Sequence, residues 1–379
     1  MKSIKKTLLI TTILCLFYST IFAQKDGLDI YRISQEQKIF EFSQIYKELY
    51  YNFANMDDCP EINIDSLYME YIPKVVKSEN DWDYFENIYQ FLEKFNNGHV
   101  FCVFPDYIMN QIDKLAPEKV KKRKEEEILL PLLKSNLFIT DSTNDFAYIK
   151  LKECDLENFH YFFLNNYGNI LNFKNLIVDV WYNAGGDGGA TAIVKNLLLN
   201  QDTIYYYSEE VKTHNSFLKA RAAVKIHYYK PEEVSQDFKD KYYSYYYNNH
   251  FEPNNFFDKY YLNQIPDSLR YKGNIYVIAG KRTVSAGEDF ALYMSEGKKI
   301  KTFGKKTCGA FGQPLVVFFN SGMQVFINST KTYDYKGNNI STGFVPEYDY
   351  DFSDFYKIED KQKMLLKFIE VIRNFDKQK

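Results

Sequence analysis

The chain has 379 residues, 45% hydrophobic and 26% charged, with a formal net charge of −3. Those fractions are those of a globular protein and exclude a disordered or low-complexity chain. The near balance of charge gives no global attraction to nucleic acid or to an anionic membrane surface. At roughly 150 residues per domain the length predicts two or three domains, and the unusual feature is an aromatic share of 18%, from 34 Tyr, 32 Phe and 2 Trp.

Residues 1–23 read as a signal peptide. Lys2, Lys5 and Lys6 form a positive start, an uncharged apolar stretch runs from Leu8 to Phe22, and Ala23 precedes Gln24 at the expected cut. The stretch is too short to span a bilayer and ends in a small residue. Cys15 is preceded by Leu14 where a lipidated cysteine would follow a small residue, so a lipoprotein is not expected. No second long apolar run exists, and the mature chain is expected to be exported, periplasmic or secreted, with no integral membrane segment. Loss of the three lysines takes the net charge from −3 to −6, further from nucleic acid. Cys59, Cys102, Cys154 and Cys308 remain; export permits disulfides, four cysteines allow three pairings, and nothing in their spacing chooses one or marks a metal site.

Three helices are predicted first. From Ser34, a good N-cap, Ile39, Phe42, Ile45, Tyr46, Leu49 and Phe53 recur at helical spacing. A second amphipathic run starts at Asp65 and stops near Pro73; a third begins after Ser78 and carries Trp82, Phe85, Ile88, Tyr89, Leu92 and Phe95. Together they make an N-terminal helical bundle, placed within residues 24–105. Residues 106–145 form a charged connecting segment, in which Lys121-Lys122-Arg123-Lys124 is followed at once by Glu125-Glu126-Glu127. Basic and acidic runs nearly cancel, which marks a solvated helix face rather than a polyanion site.

Beyond this point the period changes. Phe146–Leu151 reads as a strand, and Asn175–Trp181 is a nearly continuous apolar run, as in a strand covered on both faces. Gly185-Gly186-Asp187-Gly188-Gly189 then turns into a helix expected over Ala190–Leu199. Asn274–Ala279 repeats the pattern: strand, turn, then a helix from Ala286 to Ser295. Such repetition indicates a layered α/β domain, 146–360, with a C-terminal helix over 361–379. Between the two units lies a Tyr-rich insertion, 201–270, without strong periodicity; it is too long for an ordinary connection and reads as a lid or side wall.

P-loop, complete GxGxxG and HExxH patterns are all missing, and His99, His160, His214, His227 and His250 lie at no metal-ligand spacing. No metal and no cofactor is expected. The positive signal is Thr283-Val284-Ser285-Ala286-Gly287-Glu288. It sets a serine between a buried strand and a helix, with its hydroxyl at the positive helix end and the Ala286 N–H free to face an oxyanion. A second donor is expected from Gly185 or Gly186, where a substrate carbonyl can approach closely. The α/β-hydrolase order is excluded, because Thr283 breaks GxSxG and no histidine follows His250. The base must precede the serine. His99 is the candidate, on the turn Asn96-Asn97-Gly98-His99 that leads into an apolar strand, Val100–Phe104.

The sequence resembles the C-terminal processing (tail-specific) serine peptidases, in their tricorn-protease-like branch. Three blocks carry the resemblance in order: Leu92…Asn97-Gly98-His99; Leu176-Ile-Val-Asp-Val-Trp-Tyr-Asn183-Ala-Gly185-Gly186; and Ser285-Ala286-Gly287-Glu288 with Gly304…Thr307…Gly309. Gly343-Phe344-Val345-Pro346 looks like the closing element of the family. The resemblance implies a mixed α/β fold: the helical bundle followed by a layered α/β/α serine peptidase core of the crotonase-like type. It implies Ser285 as nucleophile, Ala286 and the Gly185-Gly186 turn as oxyanion donors, and His99 as base. Ala310 occupies the place where one branch carries a lysine base, so that mechanism is not expected. Gly98 and Ile340 stand where tricorn-type sites have a serine and a glutamate supporting the histidine, and Trp181 where an arginine is usual; Ser341, Thr342 or Glu288 could support instead. The expected function is therefore an exported serine peptidase acting on peptides or proteins. The competing readings are a weak or inactive homologue that binds peptides, and a carboxylate-based glycoside hydrolase.

Overall fold

The structure, a computed structural model, describes residues 32–118, 135–199, 203–211, 254–261, 265–312, 314–334 and 337–377. The signal-peptide segment, the basic–acidic run at 121–127 and most of the Tyr-rich insertion lie outside the described residues. In chain order the main helices are α1 (Gln35–Asn52), α2 (Ile64–Val76), α3 (Asp81–Glu93), α4 (Phe162–Ile170), α5 (Ala192–Leu198), α6 (Ala286–Ser295) and α7 (Lys361–Asp376). The strands are β1 (Phe101–Val103), β2 (Leu137–Asp141), β3 (Phe146–Lys150), β4 (Asn175–Asp179), β5 (Thr203–Val211), β6 (Asn254–Tyr261), β7 (Asn274–Ala279), β8 (Ile300–Gly304), β9 (Pro314–Phe318), β10 (Gln324–Asn328), β11 (Thr330–Tyr333) and β12 (Tyr348–Asp349). Two compact units form. The first draws on stretches within Met1–Lys122, Ser208–Phe257 and Ala310–Tyr333, the second on Arg123–Tyr207, Asp258–Gly309 and Asp334–Lys379.

In the first unit each helix starts on a polar cap. Ser34 accepts from the Gln37 N–H, Asn63 from Ser66 and Asn80 from Asp83, each satisfying a donor that the first turn leaves open. Tyr84, Phe85, Ile88, Phe91 and Leu92 on α3 are buried, so two neighbouring stripes of that helix face apolar partners. Where the sequence predicts an end near Pro73, α2 runs on to Val76. The proline sits in the last turn, where it forgoes one backbone bond and ends the helix within a few residues instead of breaking it. Two buried carboxylates tie the helices to later segments of the unit. Asp81 accepts from the Arg32 N–H at 2.9 Å and the Tyr107 hydroxyl at 2.8 Å; Glu41 accepts from Tyr84 at 3.0 Å and the Ser321 N–H at 2.9 Å.

The helical core closes on an antiparallel sheet ordered β1-β10-β9, in register Phe101↔Phe326 and Val325↔Val317. The Phe101 and Phe326 rings stack at 4.4 Å. β5 and β6 fall within the Tyr-rich stretch and join β11 in a second sheet, Thr330 opposite Val211 and Tyr333 opposite Ser208. Part of the segment that reads as aperiodic is thus strand, formed from tyrosine and β-branched residues whose propensity survives without alternation.

The second unit is built on a six-stranded sheet ordered β12-β8-β7-β4-β3-β2, parallel apart from the antiparallel β2–β3 pair. Side chains alternate across it. Tyr148, Ile177, Tyr276, Ile278 and Phe303 face a cluster with Phe352, Tyr356, Leu365 and Phe368, the last two from α7. Their neighbours Ile149, Val178 and Val277 are equally buried, and α6 packs along β7 and β8. Both faces are covered, which gives the mixed α/β architecture of layered type that the sequence implies. The Gly188–Thr191 segment is a short 3₁₀ turn, so α5 starts two residues later than expected. Among the described residues Cys59, Cys102, Cys154 and Cys308 form no disulfide, and the first three are buried. Among the described residues no helix is long and apolar enough to cross a membrane, and no cluster of His, Cys, Asp and Glu is suited to a metal ion.

Candidate active site

β4 and β7 are adjacent and parallel, so their C-terminal ends deliver two loops side by side. Ligands in such sheets gather where strand ends meet helix starts. The loop after β7 leads through Thr283 and Val284 to Ser285, the N-cap of α6. Two bonds stitch it to the loop after β4: Thr283 Oγ1 donates to the Val180 carbonyl at 2.8 Å, and the Val284 N–H to the Asn183 carbonyl at 3.0 Å.

Ser285 adopts φ 51° and ψ −121°, a conformation that L-residues rarely hold. Glu288, fully buried, braces it. One carboxylate oxygen accepts from the Ser285 N–H at 3.0 Å; the other accepts from the Thr307 hydroxyl at 2.5 Å and the Gly309 N–H at 2.8 Å. Thr307 in turn receives the Phe344 N–H at 2.7 Å and returns its own N–H to the Phe344 carbonyl at 2.9 Å. The Ser285-x-x-Glu288 cap is therefore tied to the Gly343-Phe344 loop. Of the other supporting candidates, Ser341 is buried with its N–H on the Asn339 side chain, and Thr342 accepts from Lys306 Nζ at 2.9 Å.

The glycine turn lies directly against the serine. A β-carbon at Gly185 (φ +78°) would stand 2.7 Å from the Val284 carbonyl oxygen and 2.9 Å from the Ser285 β-carbon, so only glycine fits. At Gly186 (φ +134°) it would stand 2.4 Å from the Cys154 carbonyl oxygen. The N–H of Gly185 is taken by Asn183 Oδ1 at 2.9 Å, whereas among the described residues those of Gly186 and Ala286 meet no acceptor. Of the two glycines named from sequence, Gly186 is the one with a donor to offer. Asn183 is a site residue that the sequence reading misses. Its side chain spans Leu151, Cys154 and Gly185, and the signal for it is an asparagine two residues before a glycine, the spacing of an Asx turn.

His99 belongs to the first unit, just before β1, and is 6% exposed. Its backbone N–H is held by the Asn97 side chain at 2.9 Å, which shapes the turn anticipated there. Burial pushes the imidazole down to about 4, opposed only by a hydrogen bond to the Phe311 backbone, so the ring is neutral at pH 7. Ala310, at the position of the alternative lysine base, is fully buried and carries no ionisable group.

A second buried polar centre lies under β4. Asp179 accepts from the Tyr148 and Tyr356 hydroxyls and from the Trp181 N–H at 2.9 Å. Desolvation raises its carboxyl, and Lys150, itself pushed down to about 8 by burial, opposes that rise. Every donor in the cluster ends on protein, a bracing role at the strand end that carries the glycine turn.

None of the curated protein sequences matches the chain. Among solved structures, mature CPAF complexed with lactacystin is similar over 91% of this chain and 99% of its own, with a TM-score of 0.61 at 10% identity. A candidate peptidase of Parabacteroides merdae ATCC 43184 is similar over 87% of this chain and 93% of its own, with a TM-score of 0.52 at 15% identity. At such identities these likenesses speak to the fold. The model of peptidase family S41 matches residues 145–350, the stretch that holds five of the six strands of that sheet, the glycine turn, the braced serine and the Gly343-Phe344 loop, and by that match the chain belongs to peptidase family S41.

Proposed function

We propose that the protein is an exported serine peptidase in which Ser285 is the nucleophile and His99 its base. The observation that supports this most is Ser285 itself. A non-glycine residue is held at φ 51° at the start of a helix, braced from beneath by a buried glutamate, with a glycine pressed against its β-carbon. Strain of this kind persists where surroundings over-determine it and is concentrated at functional sites. The hydroxyl attacks the scissile carbonyl carbon as a neutral histidine takes its proton. The N–H groups of Gly186 and Ala286 receive the developing oxyanion, and the histidine returns the proton to the departing amine. Water then releases the acyl group by the reverse path. A neutral imidazole at pH 7 suits a base that must start unprotonated.

Export rests on the sequence of residues 1–23, and peptides or proteins are the substrates that the family implies. No cofactor enters the reading. Covalent labelling by a fluorophosphonate probe tests it: we expect wild-type protein to label, Ser285→Ala not to, and His99→Ala to label far more slowly. Labelling that survives in Ser285→Ala removes the serine from the role. A wild-type protein that does not label yet binds peptides would be a binding homologue of the family.

A further inference from the structure

We propose that Asn183 sets the two oxyanion donors in register: its side chain holds the turn that presents the Gly186 N–H, and its backbone carbonyl holds the segment that leads to Ala286. This rests on the reading of Ser285 as nucleophile and adds the residue that fixes the donors relative to each other. Asn183 is fully buried. The Gly185 N–H can only donate, so the amide atom 2.9 Å from it is the oxygen, and Nδ2 then donates to the Leu151 carbonyl at 2.9 Å. The Cys154 thiol donates to the same oxygen at 3.2 Å, and burial raises that thiol, which keeps its proton. Cys154 is thereby drawn against the turn. Its N–H donates to the Gly185 carbonyl at 2.8 Å, its carbonyl accepts from the Asp187 N–H at 2.6 Å, and Cys154 and Gly186 form a parallel bridge. In that pattern the bridged residue's own N–H points away from the partner strand. Gly186 thus turns its N–H, which meets no acceptor among the described residues, to the side opposite Cys154.

The same residue reaches the second donor. The Asn183 carbonyl accepts from the Val284 N–H at 3.0 Å, and Ser285 and Ala286 follow directly. Gly287, in the first turn of α6, lies on the Asn183 side chain: a β-carbon there would stand 2.6 Å from Oδ1 and 3.0 Å from Cγ. The helix start therefore rests on the amide that holds the glycine turn. Oxyanion donors act at about 2.7–3.1 Å from the developing charge, and a misplacement of about 1 Å costs about a hundredfold in rate. A residue bound to both loops at once is suited to hold such a distance. Asn183 is a positioning residue: it acts through the two backbone N–H groups that it places.

Fluorophosphonate labelling of the full chain, followed against probe concentration, tests this. Oγ of Ser285 bonds to phosphorus, fluoride leaves, the hydroxyl proton passes to the base, and a phosphoryl oxygen takes the oxyanion position. For Asn183→Ala we expect the maximal rate to fall about tenfold or more and the half-saturating concentration to stay within about twofold. The acid limb of the pH profile should not move, because the base is untouched. Gly287→Ala should give the same pattern by another route: it removes no hydrogen bond but sets a methyl against Oδ1, at a helical position where alanine is otherwise favoured. The double variant should label no more slowly than Asn183→Ala, since the methyl then meets no amide. Losses that multiply would show two independent defects and overturn the proposal. Full-rate labelling in Gly287→Ala would do the same, and decides the matter if Asn183→Ala does not fold. A raised half-saturating concentration or a shifted acid limb would mark a general disturbance of the fold and equally overturn it. Labelling that survives in Ser285→Ala would instead remove the underlying reading of the nucleophile.

Discussion

Half-buried Ser285 carries backbone strain, of order 1–3 kcal/mol for a residue so placed, and Glu288 is what holds it there. Three N–H or O–H groups converge on that one buried carboxylate. In Glu288→Gln one of the two terminal atoms becomes an NH₂ group facing a donor, so a bond is lost and a buried polar group is stranded. We expect a stability loss of about 1–3 kcal/mol in urea unfolding, with slower labelling of Ser285. Unchanged stability would mean that the carboxylate is not the brace. His99 gives a prediction with a sign. Burial pushes its imidazole down to about 4, so if His99 is the base proposed above, it starts unprotonated at any higher pH. The acid limb of the labelling rate should therefore fall near pH 4, with a flat rate from about pH 5 upward; an ordinary histidine would place that limb near 6.5. A limb at 6.5 would show a ring in water, not in the site described. Ser285, Glu288 and His99 are legible because each carries a local mark: a serine after a strand, a glutamate at capping-box spacing, a histidine after a forced turn. Asn183 carries only its spacing to Gly185, since its side chain's other partners, Leu151 and Cys154, lie 32 and 29 positions away.

Among the elements, those with one strong period are legible and those whose identity depends on a neighbour are not. β7 and α6 occupy the spans that their patterns predict, Asn274–Ala279 and Ala286–Ser295. The β9–β10 hairpin escapes the sequence reading although apolar runs flank its Ser321-Gly322 turn. The turn between β4 and α5 is where an element-level substitution should tell most. Gly185→Ala places a β-carbon 2.7 Å from a backbone oxygen and 2.9 Å from the β-carbon of Ser285, in a positive-φ conformation. Neither obstacle is a flexible side-chain end, so the turn or the serine must move. We expect labelling to drop about a hundredfold or more, the scale of losing an oxyanion donor, together with reduced thermal stability. Gly188→Ala three residues on is the control: its β-carbon would meet nothing within 4 Å, and labelling should stay near wild type. Equal effects at the two positions would mean that the turn as a whole, not the contact with Ser285, sets the activity.

At the scale of the molecule, order along the chain is a poor guide to what folds with what. The three N-terminal helices read as a bundle with its own aromatic core, yet Leu315, Val316, Val325, Phe326 and Ile327 belong to the same buried cluster as Phe42, Phe85 and Phe91. β1 finds its partner in β10, from a segment that returns only after the whole glycine-turn region has been traversed. No local pattern announces such a pairing, because strand partners are chosen by the fold and not by neighbours in sequence. Its energetic consequence can be estimated. Burying a large aliphatic or aromatic side chain is worth about 1.5–3 kcal/mol, so those five residues supply on the order of 7–15 kcal/mol. That matches the entire margin, about 5–15 kcal/mol, by which a typical domain is stable. A fragment ending at residue 122 keeps the helices and β1 but loses the strands that cover them. It should retain far-UV helical signal, lack a near-UV aromatic signature, bind ANS and unfold without a cooperative transition. A fragment that instead unfolded cooperatively would show that the helices form a self-sufficient domain and that β9 and β10 merely rest upon it.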